Sequence, residues 1–272
     1  MDKEYRKLIE DIIIQNEKYT NSKMAGVYLV QKTQLDSLNK LLGELFIKYG
    51  NIGLLKMNAS QKADTGIKTL LKNMGATLAK DEVEKVTSII STVYKDTYYK
   101  NAFIMDSGLK VDLKFDILKK EFVDAAVNQK FKGELFSDRI WTNKADMIDK
   151  LQSSLIKCMN GETTIDKIGK DIRDTFNVTA YESQRLINTE NARVQTQASY
   201  DIGISSGVSQ VMWSSTLDDK TNEEDASLDG QVWGIDEEHP EPPLHPFADA
   251  VLSMFPLMGG HRQREKIILQ VM

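Results

Sequence analysis

No proline occurs in the first 239 residues of this 272-residue chain; all five lie between Pro240 and Pro256. Proline removes a backbone donor and clashes with the preceding helical turn, so its absence permits long uninterrupted helices. Apolar residues recur there at three- and four-residue steps, which puts them on one face of a helix. Tyr5, Leu8, Ile9, Ile12 and Ile13 open the pattern. Leu35, Leu38, Leu42, Leu45 and Tyr49 form a stripe, as do Val83, Val86, Ile90, Val93, Thr97 and Tyr98. Phe115, Leu118, Phe122 and Ala126 predict a shorter one. Ile148, Leu151, Leu155 and Cys158 follow, then Ile165, Ile168, Ile172 and Phe176 after a break at Gly161.

Joints are expected at Gly50 to Gly53, Asn73 to Gly75, Asp106 to Gly108, Gly133 and Asn160-Gly161. Thr163 or Thr164 can cap the helix at Ile165. Thr179 with Glu182 fits a capping box, predicting a new helix over about 180–202. That helix is unusually polar, with Gln184, Arg185, Asn188, Glu190, Asn191, Arg193, Gln195 and Gln197. It reads as solvated, with Leu186, Val194, Ala198 and Ile202 inward, or as facing a partner. The expected fold class is mainly α: an irregular helical body over 1–207, of a kind that can be elongated, with a small α+β module at the C-terminal end. No fixed-period repeat supports a solenoid.

Composition narrows the function classes. A net charge of -5 offers no general basic footprint for nucleic acid. The lone Cys158 excludes an intrachain disulfide and fits a reducing compartment. No apolar run approaches the roughly 20 residues of a spanning helix, and the N-terminus lacks a secretory h-region. The expectation is a soluble, intracellular-type product.

After Gly203 and Gly207 the pattern changes. Ten of the 30 residues from 216 to 245 are acidic, against one lysine. Residues 208–215 suit a strand carrying Val211 and Trp213. A turn over 218–222 and one or two helical turns over 223–229 come next, stopped by Gly230 in a left-handed cap. Gln231, Val232 and Trp233 return as a second strand, giving a hairpin-like unit around Trp213 and Trp233. The run from His239 to Pro246 favours an extended polyproline conformation.

The carboxylates raise the question of catalysis. Divalent-metal chemistry needs two or three of them converging, and Asp218, Asp219, Glu223, Asp225 and Asp229 are the candidates. An EF-hand is excluded, since Lys220 occupies a ligand position and Glu223 stands in place of the loop glycine. Turn formation, helix capping and solvation explain the acids more simply. His239 and His245 have no cysteine partners for zinc and read as loop residues. No phosphate loop, nucleophile elbow or Cys/His pair is present, and Cys158 on its apolar stripe reads as a core residue.

The run W-x-x-T-x-D-x-K-T from Trp213, then L-D-G at Leu228, Asp229 and Gly230, then P-P-L-H-P ending at Pro246, resembles the C-terminal module of the phage head morphogenesis proteins. These are minor capsid proteins, often called Mu F-like. The stretch R-L-I-N-T-E-N-A-R-V-Q-T-Q-A-S-Y is similar to the family's preceding helix, so the likeness spans about 165–246. It implies a non-enzymatic protein of the virion interior, assembled in the host bacterial cytoplasm from a phage or prophage. Portal, capsid or scaffold proteins are its implied partners; packaged DNA is touched only indirectly, and no membrane or cofactor is involved. Carried over residue by residue, the motif falls on Trp213, Thr216, Asp218, Lys220, Thr221, Leu228, Asp229, Gly230, Pro243, His245 and Pro246, with Trp233 as the second tryptophan. These read as structural or partner-binding residues, none catalytic and none a metal ligand. The other class to weigh is a metal-dependent hydrolase or toxin-like effector using the Asp218 to Asp229 cluster.

Departures from the family matter too. Lys220 replaces the usual Arg, which weakens bidentate pairing to a carboxylate. Asn222 and Asp225 stand where many relatives have basic residues, His or Cys. Where the family continues with C-R-C after one variable residue, this chain has Phe247-Ala248-Asp249-Ala250, so no zinc is expected. Phe-Ala-Asp-Ala-Val can be encoded by TTT GCA GAT GCA GT plus any base, and the offset frame reads Cys-Arg-Cys-Ser. Residues 247–272 are therefore expected to be an atypical tail, out of frame or disordered. The competing expectation is an amphipathic helix with Ile267, Ile268 and Val271 on its apolar side.

Overall fold

The computed structural model describes residues 3–109, 118–217, 221–245 and 250–254. In chain order the elements are α1 (Lys3–Tyr49), β1 (Gly50–Asn51), β2 (Leu54–Lys56), α2 (Ala59–Asp64), α3 (Ile67–Leu109), α4 (Lys120–Val127), α5 (Phe136–Met159), β3 (Asn160–Thr164), α6 (Ile165–Ser205), β4 (Gln210–Ser215), α7 (Glu223–Leu228), β5 (Val232–Gly234) and β6 (Ala250–Met254). The chain is mainly α, as its periodicity predicts, with a small antiparallel sheet in the C-terminal module and a second one, β1-β2-β3, inside the helical body where only joints are expected. No helix among the described residues is long and apolar enough to cross a membrane.

Two compact units divide the chain, one of Met1–Ser22, Ser88–Gln129 and Leu186–Met272, the other of Lys23–Thr87 and Lys130–Arg185. In the second unit the predicted stripes meet: Leu38, Leu42 and Leu45 of α1 pack with Leu71 and Leu78 of α3, Leu151, Leu155 and Cys158 of α5, and Ile168, Ile172 and Phe176 of α6. Burial pushes the Cys158 thiol up to about 11, consistent with an inert core cysteine. A sheet of order β1-β2-β3 closes this unit. Within it Lys144 and Glu82 are both buried, their charges paired at 2.6 Å. The Ser183 hydroxyl also donates to Glu82 at 2.9 Å, which helps offset the cost of desolvating the carboxylate.

The first unit is held by polar side chains as well as apolar ones. Ile9, Ile12, Ile13, Ile104, Ala192 and Val251 cluster together. Beside them, buried Asn16 donates to Thr97 and to Gln195, each at 2.9 Å. Asn101 donates to Ser199 at 2.9 Å, and Thr20 to Asn191 at 3.3 Å. Buried Arg193 pairs with Glu190 at 2.7 Å and donates to the Ala126 carbonyl at the end of α4 at 2.8 Å. The polar stretch of α6 is thus neither solvated nor partner-facing over 190–199. Glu190, Asn191, Arg193, Gln195 and Ser199 are buried, and the bonds of this stretch reach α1, α3 and the end of α4, while Gln197 is half-buried and donates to Asp201 of its own helix at 2.8 Å.

Other expectations change as well. Thr179 starts no helix: it lies within α6, donating to the Thr175 carbonyl at 3.0 Å. Asn73 to Gly75 and Asp106 to Gly108 lie inside α3. Gly75 is a packing site, where an added Cβ would meet Ile148 Cγ1 at 2.7 Å. In α4 the buried face is Val123, Ala126 and Val127, while Phe122 is exposed. Phe115 lies outside the described residues. Thr164 does cap α6, accepting from the Lys167 N–H at 3.4 Å. The tail does not begin unstructured throughout: residues 250–254 form β6, a wholly buried strand paired with β4. Residues 255–272 lie outside the described set.

Candidate functional site

β4 is the centre of the second sheet, of order β5-β4-β6. Five consecutive residues, Val211 to Ser215, are buried on it, which requires cover on both faces. Trp213 is fully buried and acts as the hub. Its indole N–H donates to Ser215 Oγ at 2.9 Å. Its backbone carbonyl accepts from the Gly230 N–H, and its own N–H donates to the Gln231 carbonyl, both at 2.9 Å. β5 lies antiparallel to β4 with Val211 opposite Trp233. The predicted strand–turn–strand unit is therefore present, with β6 as a third strand on the other side of β4.

The connection between β4 and β5 is built by side chains that bond locally. Thr221 Oγ1 donates to the Thr216 carbonyl at 3.1 Å. Asn222 caps α7 by accepting from the Glu224 N–H at 2.9 Å, and Glu223, Glu224 and Asp225 in its first turn suit the helix dipole. The Leu228 carbonyl accepts from the Gln231 N–H at 2.9 Å. Gly230 has φ 80°, the predicted left-handed cap.

Asp229 ties this connection to the rest of the unit. Its Oδ1 accepts from the Ser215 backbone N–H at 3.0 Å, and its Oδ2 pairs with the Arg6 guanidinium of α1. The Arg6 pKa is raised first by its hydrogen bond to Glu10 and next by that to Asp229. Tyr5, next to Arg6, donates to the Met254 carbonyl of β6 at 2.7 Å. Neither Tyr5 nor Arg6 is among the sequence-predicted site residues. No local pattern signals a partner 223 residues away.

Asp225 has a different environment. It is buried, its Oδ1 has no hydrogen-bond partner, and burial raises its pKa. Nearby His245 opposes that rise and Glu224 adds to it. His245 Nε2 lies 2.9 Å from Glu224 Oε2, which fastens the proline run to α7. Further back, His239 Nε2 lies 2.6 Å from the Tyr200 hydroxyl of α6 and packs beside Trp233 with ring centroids 6.0 Å apart. Pro242 and Pro243 are buried. Both histidines anchor the irregular proline segment to the module.

The structure thus brings together Trp213, Thr216, Thr221, Leu228, Asp229, Gly230, Trp233, Pro243 and His245. Asp218, Asp219, Lys220 and Pro246 lie outside the described residues. Among the described residues no group of three His, Cys, Asp or Glu side chains could hold a metal ion. Asp229 is engaged by Arg6 and Ser215, Asp225 is buried, and Glu223 and Glu224 face solvent.

Residues 149–250 match the family model described as Phage Mu protein F like protein. Over that stretch the chain is similar to the phage head morphogenesis proteins. It is 22% identical over 243 residues to the minor head protein GP7 of Bacillus phage SPP1, covering 86% of this chain and 75% of that protein. No solved structure matches. The family match begins within α5 and runs through α6, β4, α7 and β5 to the first residue of β6. It therefore includes the buried polar stretch of α6 as well as the tryptophan-bracketed turn.

Proposed function

We propose that this Mu F-like chain is a non-enzymatic minor head component that binds the portal or the inner capsid face during procapsid assembly. The observation that carries this reading is the way Asp229, within the C-terminal part of the family match, is held. Its two oxygens are taken up by a backbone N–H and an arginine, so the motif carboxylate builds a turn and is not free to activate water. Capsid and scaffold proteins are then the partners, and the virion interior is the destination after assembly in the host cytoplasm. Contact with packaged DNA is indirect: the unit containing the module carries 15 basic and 25 acidic residues, which repels a phosphate backbone.

Co-expression with the portal protein and the major capsid protein of the same phage tests this reading. Stable co-purification with either one is expected, and with neither would overturn it. A divalent-dependent nuclease or hydrolase activity that disappears in Asp225→Asn or Asp229→Asn would favour the effector reading instead.

A further inference from the structure

Ile52 is placed against both its backbone preference and its solubility. Its φ is 48° and its side chain is 94% exposed. Gly53 follows at φ 73°, so both central residues of the β1–β2 hairpin are left-handed, the pattern of a type I′ turn. Such a turn favours Asn-Gly; a β-branched residue with positive φ is strained. Nor does the hairpin need isoleucine for its register. Gly50 pairs with Leu55 and Asn51 with Leu54, Leu55 is fully buried, and the Gly53 carbonyl accepts from the Ile165 N–H at 3.2 Å. A residue strained and solvated at once contributes nothing to folding, and strain of this kind points to function.

Apolar surface continues around the tip. Leu54 and Ile165 are each 38% exposed, and Ile47, in the last turn of α1 just before the hairpin, is 90% exposed. Lys48 and Lys56 flank the tip in solvent. The unit that bears it carries 20 basic and 15 acidic residues. We propose that this tip is a docking anchor, with Ile52, Leu54 and Ile165 entering an apolar pocket rimmed by acidic side chains on the head protein that this chain binds. The proposal rests on the head-assembly reading above. The acidic rim follows from complementarity to the basic unit. These few side chains fall well short of the about 800 Å² per partner of a stable dimer, so they suit one anchor within a wider heterologous contact better than self-association.

Two variants test it, Ile52→Asn and Ile52→Val. Asparagine suits the left-handed position but removes the apolar anchor; valine keeps both the strain and most of the apolar surface. Ile52→Asn is expected to raise Tm by about 2–4 °C while weakening co-purification with the portal or major capsid protein by about tenfold or more. Ile52→Val should bind within about fourfold of the parent, since it loses a single methylene. If Ile52→Asn binds as well as the parent, the anchor is refuted and the head-assembly reading stands. If the parent binds neither protein, that reading fails first and the anchor's partner with it. Sedimentation velocity and flotation with phosphatidylglycerol vesicles complete the test. A parent oligomer or vesicle complex that Ile52→Asn dissolves would assign the tip to a second copy or a lipid surface, overturning the proposal.

Discussion

Asp225 and Asp229 are four residues apart in one acidic run, yet burial treats them in opposite ways. Asp229 has both oxygens engaged, by Ser215 and Arg6, whereas Asp225 is buried with one oxygen unpartnered and its pKa raised. Asp229→Ala should therefore cost about 2–3 kcal/mol, because it leaves the Ser215 N–H without its acceptor and Arg6 without its partner. Arg6→Ala should cost about 1 kcal/mol, since the guanidinium is about one-third exposed and water can replace the arginine. Urea denaturation of both variants checks that order; equal losses would show that the ion pair, and not the turn, carries the energy. For Asp225 the sign is reversed. With a folded pKa above the unfolded one, its contribution is fully present below about pH 3.9 and lost as pH rises through the folded value. Asp225→Asn should accordingly gain stability over the parent at pH 7 and lose that advantage toward pH 4, as thermal melts at the two pH values would record. Asn222 and Gly230 were legible in the sequence because they act on adjacent backbone, whereas the bonds of Asp229 reach Ser215 on β4 and Arg6 on α1. Arg6 was not legible, because its role depends on tertiary folding alone.

At the scale of elements, periodicity located the buried faces but not where helices stop. Gly161, just after α5, and Gly133, in the turn before α5, reverse the chain with φ 78° and 89°. Gly75 lies within α3 because the close approach of Ile148 requires a residue without Cβ. The same sequence cue therefore marks a turn in one place and a helix contact in another, and only packing separates them. The capping box at Thr179 misleads for a related reason: a Ser or Thr hydroxyl can bond a carbonyl four residues back inside a helix, as Thr179 does. Polarity misleads most strongly where polar groups find each other. Lys144 and Glu82 sit at 1% and 2% exposure, positions that hydropathy assigns to solvent. Lys144→Met should destabilise by about 3–5 kcal/mol, leaving the buried Glu82 carboxyl without its cation. Adding Glu82→Leu should recover most of the loss, because the Ser183 hydroxyl retains the Thr179 carbonyl as acceptor. A double-mutant cycle on chemical denaturation measures this coupling, and a double variant as unstable as the single would show that the pair is needed for more than mutual neutralisation.

For the whole molecule, the unit that carries the Mu F-like turn is assembled from three stretches far apart in sequence, and its sheet is completed by five residues near the C-terminus. That strand was not legible. Ala250 to Met254 is a short run without alternation, because both faces of β6 are covered, and such a run carries no periodic signal. Its contacts nevertheless reach β4, α6 and α1. β6 pairs with β4 from Val211 to Ser215, Ser253 bonds Ser214 at 2.8 Å, the Leu252 N–H donates to Thr196 of α6 at 3.2 Å, and the Met254 carbonyl accepts from Tyr5 of α1. Val251, Leu252 and Met254 are all buried, and at about 1.5–3 kcal/mol for each large side chain their removal costs about 5 kcal/mol or more. That matches the lower end of the about 5–15 kcal/mol that holds a domain together. A chain ending at Pro246 should therefore lose cooperative folding of this unit. The hydrophobic cluster of the other unit draws no residue from beyond Phe176, so its helices should persist. Circular dichroism should show most of the helical signal retained, with the Trp213 fluorescence shifted to that of a solvated indole. A truncated chain that keeps a buried Trp213 and a single sharp melt would show that the β4–β5 hairpin stands without its third strand.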